Sequence, residues 1–356
     1  MRALPSTAEH ALKRANMKPT LVSFYSILPL LLAMSLPACG SDDTPTPKDD
    51  FGATPEAGLR ASLDINGSVA SVGVTLDNGD AADVYAPAIA AADRAKFVDR
   101  FPVVVLLQGA LTPKEQYKSY AETFAGYGFV VIVPEHLRAV PPMFPNPVQL
   151  AEASVIPSAL AAVEALDGDA TSPMHQIADT KRSALTGHSQ GGLTSLLSIA
   201  GQCLPGICTE PFTLPASIKA AALFGTHSVS KGSAIPVDTT GYPVALLQGS
   251  IDGRALPGNA TLTYDTLEPT RALITFEGLN HFAITNDNVI PGTNQDPNKQ
   301  TVEQSVGTRR VALWAALWLH AAFNGSPVAK HWLYTVFGTA NAEVSVKSER
   351  APAGSN

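Results

Sequence analysis

The fold can be read outward from one stretch of this sequence, Ser183-Ala184-Leu185-Thr186-Gly187-His188-Ser189-Gln190-Gly191-Gly192. Its first four residues resemble a short buried strand. The segment that follows, Leu193 to Ala200, has the apolar spacing of a helix. The glycines between the two allow a sharp turn. A strand that passes through such a turn into a helix is the repeating unit of parallel α/β sheets.

The same alternation of strand and helix extends over most of the chain. Buried strands are predicted at 103–107, 129–133, 184–186, 221–224, 244–247 and 272–276, after two more exposed strands at 72–76 and 83–85. Helical patterns cover about 114–126, 147–166, 190–201, 258–267 and 302–324. We therefore predict one α/β domain over residues 55–340, with a mostly parallel sheet of about eight strands flanked by helices. Residues 341–356 have few apolar side chains and are expected to form a loose C-terminal tail.

Composition excludes two broad classes of protein. Of the 356 residues, 45% are apolar and 7% aromatic, which excludes global disorder. The formal net charge of −7 argues against a nucleic-acid partner, because binding to phosphates requires clustered Lys and Arg. The expected partner is a small or polymeric substrate, and we expect a monomer.

The first 38 residues have the pattern of a secretory signal. A basic Met17-Lys18 precedes an apolar stretch at residues 21–36, which is too short and too interrupted by Ser and Pro to span a bilayer well. Met17 is an alternative start. The end of the stretch, Leu36-Pro37-Ala38-Cys39, resembles the lipobox of bacterial lipoproteins, and this resemblance implies that Cys39 is lipidated. The alternative is an ordinary cleaved signal that leaves Cys39 as a free thiol.

Residues 39–54 are polar, contain two Pro after the Cys, and are predicted to be a flexible tether. We expect an exported protein that is lipid-anchored to the cell envelope or secreted. Gly40 after the Cys favours the outer membrane, if the host has one, by resemblance to lipoproteins. The acidic surface disfavours binding to anionic lipids, so the membrane would be reached only through the lipid on Cys39.

Cys203 and Cys208 are expected to form a disulfide. They bracket Leu204-Pro205-Gly206-Ile207, whose Pro-Gly turn brings the two sulfurs close together. Export places them in an oxidising compartment. Metal binding is disfavoured, because no His or further Cys stands at ligand spacing.

Ser189 is the candidate nucleophile. It is the central residue of Gly187-His188-Ser189-Gln190-Gly191, a Gly-x-Ser-x-Gly motif between a strand and a helix. The small residues give a cramped backbone the room to project the Ser hydroxyl above the sheet. The N–H of Gln190, at the start of the helix, is placed to face a negative oxygen. The alternative is a chance match in a glycine-rich loop.

A serine needs a base, and the base needs a group that orients it. Asp252 follows the strand 244–247 and His281 follows the strand 272–276, so both are expected at the edge of the sheet that carries Ser189. The alternatives for the acid are Asp238 and Asp265. The alternatives for the base are His227 and His320.

The loop Gln108-Gly109-Ala110-Leu111 ends the strand 103–107, where a second oxyanion donor is expected. The Ala110 N–H is the candidate donor and the Leu111 N–H its alternative. A plain strand-to-helix turn is the remaining interpretation.

These motifs, with the segment 101–109, the segment 117–134 and Asn280-His281-Phe282, resemble the α/β-hydrolase superfamily over roughly residues 80–285. More narrowly they resemble its chlorophyllase, platelet-activating-factor-acetylhydrolase-like and cutinase-like branch. The resemblance implies an α/β-hydrolase fold and a carboxylic-ester hydrolase with Ser189, Asp252 and His281 as its triad. One position departs from the branch: Gln108 stands where a His usually precedes the oxyanion Gly.

This reaction needs no metal and no organic cofactor. The oxygen-rich segment 286–296 is interpreted as a surface loop, with calcium binding as the alternative. The Pro-rich segment 136–147 either forms a wall of an acyl pocket or packs on the domain. Short or medium acyl esters are the expected substrates. A serine peptidase or acyltransferase with the same triad, and a surface binding module without turnover, are the alternative functions.

Overall fold

A computed structural model describes residues 51–98, 100–142, 144–204, 207–209, 212–336 and 342–352. Four predicted features lie outside the described residues: the signal at 1–38, the predicted lipidation site Cys39, most of the tether 39–54 and the turn Pro205-Gly206. Residues 51–54 of the predicted tether are described, and there the Phe51 ring stacks on the His331 ring with centroids 4.1 Å apart.

The described strands, in chain order, are β1 (Val69–Thr75), β2 (Ala81–Pro87), β3 (Phe101–Leu107), β4 (Val130–Glu135), β5 (Leu137–Val140), β6 (Phe144–Gln149), β7 (Ala178–His188), β8 (Ile218–Phe224), β9 (Val229–Ser230), β10 (Ser233–Ala234), β11 (Val244–Gly249), β12 (Arg271–Phe276) and β13 (Val344–Glu349). The described α-helices are α1 (Pro55–Ser62), α2 (Lys118–Ala125), α3 (Val155–Gly168), α4 (Gln190–Ile199), α5 (Pro257–Tyr264), α6 (Gln304–Asn324) and α7 (Pro327–Lys330).

The central sheet has nine strands in the order β1-β2-β4-β3-β7-β8-β11-β12-β13. The six strands from β4 to β12 run parallel, while β1, β2 and β13 pair antiparallel at the edges. Because the central strands are parallel, their carboxyl ends all lie on one edge of the sheet. The mostly parallel sheet flanked by helices confirms the predicted α/β-hydrolase fold.

Helices cover both faces of the sheet, so a central strand such as β3 is buried on both sides and does not alternate polar with apolar residues. Val104 and Leu106 pack in one core with α2 and α6, where Phe124 and Trp318 lie. The alternate residues of β3, including Val105, pack in a second core with α3, α4 and α5. A strand buried on both faces needs an unbroken apolar run, which is the pattern at residues 101–107.

Two sequence predictions are corrected at the edges of the domain. The expected loose tail from residue 341 is wrong, because Val344–Glu349 forms β13 and pairs with β12. Only Val344 and Val346 are buried there, which is too weak a pattern to stand out in the sequence. The helix predicted from residue 147 begins only at Val155, and Phe144–Gln149 pairs with β5 in a hairpin instead.

Cys203 and Cys208 form the predicted disulfide, with their Cα atoms 5.4 Å apart. None of the helices in the described ranges combines the length and the apolar character needed to cross a membrane.

We predict a pH-dependent stability that originates at His320 on α6. Its Nε2 donates to the Tyr127 carbonyl at 2.7 Å, and burial lowers its pKa from 6.5 to about 4. Between pH 4 and pH 6.5, His320 is therefore protonated in the unfolded chain but neutral in the folded chain. The free energy of unfolding therefore falls as the pH decreases, by about 2 kcal/mol between pH 7.5 and pH 5 from this group alone.

Urea unfolding at these two pH values measures the effect. His320→Gln should be less stable at neutral pH, because its ring packs against Phe129, but should lose less stability on acidification. His175→Gln, which removes a partly exposed histidine, is the control and should keep the pH dependence. An equal loss on acidification in the wild type and in His320→Gln would contradict the prediction.

Candidate active site

Ser189 lies at the turn between β7 and α4 in a conformation that few residues adopt. Its φ is 52° and its ψ is −117°, so the turn stores backbone strain. The neighbouring glycines permit it. A Cβ on Gly187 would lie 2.7 Å from the Gly191 carbonyl, and one on Gly191 would overlap the carbonyl oxygens of Leu107 and Gln108 at the end of β3. The two glycines thus allow the turn to lie against the end of β3, with the serine above the edge of the sheet.

Asp252 and His281 come together at the same edge. Asp252 follows β11, His281 follows β12, and the His281 Nδ1 lies 2.8 Å from the Asp252 Oδ2. Asp252 is 1% exposed, and its other oxygen accepts the backbone N–H groups of Arg254 and Ala255 at 2.8 and 2.7 Å. A carboxylate held in this way keeps the proton on Nδ1, which leaves the Nε2 lone pair for proton transfer.

Ser189 and His281 line one cavity of about 310 Å³, and Asp252 lies behind His281. No hydrogen bond joins the Ser189 hydroxyl to His281 among the contacts of the described residues. Such bonds often tighten only when substrate is present. The cavity therefore contains a strained serine beside a histidine that a buried carboxylate orients, which is the arrangement required for nucleophilic catalysis.

The alternative acids and one alternative base lie elsewhere. Asp238 caps its own turn through the Thr240 N–H, and Asp265 pairs with Lys347 on the surface. His320 binds the Tyr127 carbonyl in the core. His227 does line the cavity, and its Nε2 lies 3.4 Å from the side-chain amide of Asn259. No carboxylate of the described residues lies within hydrogen-bond distance of His227.

Backbone hydrogen bonds distinguish the two candidate oxyanion donors. The Leu111 N–H donates to the Gln149 carbonyl at 2.8 Å, and the Gly109 N–H donates to the Tyr117 hydroxyl at 2.7 Å. The Ala110 N–H has no partner in the part of the chain that the structure describes, and Ala110 lines the cavity. Ala110 is thus the residue of this loop that can still donate to a ligand.

A buried hydrogen-bond chain, which the sequence did not indicate, connects this loop to His281. The pKa of His188 is lowered well below its usual value, first by burial and then by the nearby charge of His281. Neutral His188 has one N–H, and its Nε2 donates it to the His281 carbonyl at 2.8 Å. Its Nδ1 therefore accepts from the Tyr117 hydroxyl at 2.9 Å. Tyr117 in turn accepts from the Gly109 N–H, so the donor loop, the turn of Ser189 and the His281 loop are joined.

The side chains of Gln108 and Gln190 form hydrogen bonds to the backbone of neighbouring segments. The Gln108 side chain exchanges two hydrogen bonds with the backbone of His136, at 2.9 and 3.1 Å. The Gln190 side chain does the same with Ala151, at 2.8 and 3.0 Å. The Gln108 side chain therefore binds the neighbouring segment. None of the described residues of the segment 136–147 lines the cavity, and the start of this segment is bonded to Gln108.

Asp296 is a second feature that sequence reasoning missed. Its carboxylate accepts the backbone N–H of His281 at 2.8 Å and that of Gly253 at 3.1 Å. It also accepts the Asn298 N–H at 2.7 Å. One side chain thus connects the turn of Asp252 to the turn of His281. A Cβ on Gly253 would lie 2.7 Å from the Asp296 Oδ1, so only glycine allows this approach.

This role also explains part of the oxygen-rich segment 286–296. Asp287 accepts from the Gln116 side chain at 3.0 Å, and Asp296 binds backbone N–H groups. Within the described residues, no group of three or more His, Cys, Asp or Glu side chains is arranged to hold a metal ion.

We predict that Asp296→Ala slows the reaction of Ser189 with a fluorophosphonate probe by about 10- to 100-fold, because the two turns lose their common acceptor and the His281 ring loses its position. Mass spectrometry of the labelled protein measures the rate. Asp287→Ala, in the same segment but bonded to Gln116, is the matched control and should react like the wild type. Equal labelling rates in all three proteins would contradict this positioning role.

Residues 74–226 match the protein-family model described as Chlorophyllase, a family of the α/β-hydrolase superfamily. The match includes Ala110 and Ser189 and ends before Asp252 and His281. No curated protein matches the chain. Over these residues the chain is similar to the chlorophyllase family, and this similarity together with the sheet topology indicates an α/β-hydrolase with an esterase-like function.

Proposed function

We propose that this chain is a serine carboxylic-ester hydrolase that works through an acyl-enzyme. The single observation that supports this best is the cavity that Ser189, His281 and Ala110 line together, with Asp252 bonded to the far side of the His281 ring. Ester hydrolysis needs a nucleophile, a base and an oxyanion donor around one reacting carbon, and this cavity offers all three.

The proposed mechanism follows from these positions. Ser189 attacks the ester carbonyl while the Nε2 of His281 takes the hydroxyl proton. Asp252 stabilises the imidazolium that forms. The N–H groups of Gln190 and Ala110 bind the oxyanion, assisted by the positive end of α4. His281 then gives its proton to the leaving alcohol, and a water activated by His281 releases the acid from Ser189.

The size and lining of the cavity favour short acyl chains. A volume of about 310 Å³ lies at the lower end of the range for ligand pockets. Polar side chains, including Thr112, Thr226 and Asn294, line it together with Leu193 and Phe282. A long hydrocarbon chain would leave these polar groups without partners.

We expect the purified chain to hydrolyse p-nitrophenyl acetate and butyrate faster than the palmitate, and Ser189→Ala to lose at least about 10³-fold in kcat. Absorbance of released p-nitrophenolate measures the rates. Ser119→Ala, which changes an exposed serine at the start of α2, is the control and should retain activity.

Equal rates in the wild type and Ser189→Ala would contradict Ser189 as nucleophile. A folded wild type that cleaves none of the three esters would contradict the esterase. If the wild type then cleaved peptides, or transferred acyl groups to acceptors other than water, the peptidase or acyltransferase alternative would replace the esterase proposal. Inactivity in all of these assays would favour a binding module.

We also propose that the chain is exported and anchored to the cell envelope through a lipid on Cys39. The apolar stretch at residues 21–36 and the lipobox-like Leu36-Pro37-Ala38-Cys39 support this. The Cys203–Cys208 disulfide is compatible with an oxidising compartment.

Expression of the full chain in a bacterium with an outer membrane, fed an alkyne analogue of palmitate, tests the anchor. The wild type should incorporate the label and sediment with membranes, whereas Cys39→Ser should do neither, because the acyl chains supply the membrane affinity. Ser41→Ala is the neighbouring control and should behave as the wild type. An unlabelled wild type, or a labelled Cys39→Ser, would refute lipidation at this residue.

A further inference from the structure

The cavity at Ser189 is electrostatically unlike the rest of the chain. The protein has a formal net charge of −7, yet the residues that line this cavity include no Asp or Glu. Asp252 is not one of the lining residues and is bonded to the Nδ1 of His281, which is. The one lining residue with a permanent charge is Arg254. The start of α4, at Gln190, adds the partial positive charge of a helix N-terminus. The cavity is therefore positive within an acidic protein.

Arg254 also differs from the other arginines of the described residues. Ten arginines lie there, and the guanidinium groups of nine contact a carboxylate, a carbonyl, a hydroxyl or an aromatic ring. These nine are Arg60, Arg94, Arg100, Arg138, Arg182, Arg271, Arg309, Arg310 and Arg350. For Arg254 the described part of the chain supplies no such contact, and its side chain is exposed. A guanidinium has five donors that match a carboxylate or phosphate, and those of Arg254 have no acceptor among the described residues.

The backbone of Arg254 is nevertheless held firmly beside the site. Its N–H donates to the Asp252 Oδ1 at 2.8 Å, and the preceding residue, Gly253, donates to Asp296 at 3.1 Å. The turn that carries Asp252 thus fixes where the Arg254 side chain begins, while its guanidinium remains available at the cavity. A group placed in this way can bind part of a substrate without disturbing the Asp252–His281 pair.

We propose that Arg254 binds an anionic group, a carboxylate, on the ester that this enzyme hydrolyses. The substrate class is then a small ester of a dicarboxylic acid or of a hydroxy or phenolic acid, with one carboxylate left free. This inference rests on the proposed ester hydrolysis and adds a specificity to it. A bidentate Arg–carboxylate pair is favourable here because no carboxylate of the cavity lining competes for the guanidinium.

Two matched pairs of esters test the proposal. In the first, p-nitrophenyl hydrogen glutarate is compared with p-nitrophenyl methyl glutarate, so that the free carboxylate is on the acyl part. In the second, p-acetoxybenzoate is compared with its methyl ester, so that the carboxylate is on the alcohol part. The quantity measured is the ratio of kcat/KM for the anionic ester to that for its neutral partner. It is measured for the wild type, Arg254→Gln, Arg254→Lys and the control Arg309→Gln.

We expect Arg254→Gln to lower this ratio by about tenfold or more in at least one pair. Arg254→Lys should give an intermediate ratio, because it keeps the charge and loses the planar fork. Arg309→Gln, an exposed arginine on α6, should leave the ratio as in the wild type. Added salt should lower the wild-type ratio in the pair that responds. The pair that responds identifies the part of the ester that carries the carboxylate.

Arg254→Gln ratios equal to those of the wild type in both pairs would overturn the proposal, while hydrolysis of the neutral esters that depends on Ser189 would leave the ester hydrolase intact. A wild type that cleaves none of the four esters, with Ser189 unreactive towards the fluorophosphonate, would overturn the ester hydrolase and this inference with it. Melting temperatures of the variants identify any loss of activity that comes from unfolding.

Discussion

The active site depends on the close approach of Gly191 to the end of β3. Any side chain at this position would overlap the carbonyl oxygens of Leu107 and Gln108. The contact brings the turn of Ser189 beside the loop that carries Ala110, so one packing constraint positions both the proposed nucleophile and the proposed oxyanion donor. The strain at Ser189 is sustained by the two elements that the turn joins, β7 and α4, both of which have buried residues next to it.

Around this contact, polar groups connect loops that are far apart in the sequence. Tyr117 and His188 join the donor loop to the carbonyl of His281 through buried hydrogen bonds. Asp296 joins the turns of Asp252 and His281 from the other side. Except for the bond between Tyr117 and His188, each of these bonds uses a backbone group near the cavity. The candidate catalytic residues are thus positioned by hydrogen bonds from Tyr117, His188 and Asp296. The Arg254 guanidinium takes no part in these bonds.

Local sequence patterns predicted the parts of the molecule that depend on local physics. The glycine spacing around Ser189, the apolar run of β3 and the residues after β11 and β12 each carry their information within a few positions. Local sequence patterns did not predict the features that depend on partners far away in the sequence. β13 was missed because two buried valines make a strand only when β12 is beside them. Tyr117 and Asp296 were missed because an aromatic residue in a helical pattern and an Asp in a polar loop are ordinary until the fold brings their partners near.

The sequence by itself thus determined the fold class, the strained serine, and an acid and a base expected at one edge of the sheet, because strand, turn and helix preferences are properties of short segments. Only the tertiary structure decided which backbone N–H of the loop 108–111 has no partner among the described residues, since Gln149 and Tyr117 accept those of Leu111 and Gly109. Only the tertiary structure, too, showed that the Arg254 side chain has no partner in the described parts of the chain and lies at a cavity without a carboxylate among its lining residues. Hydrogen bonds and charge pairs are decided by neighbours in space, and the order of residues along the chain does not specify them.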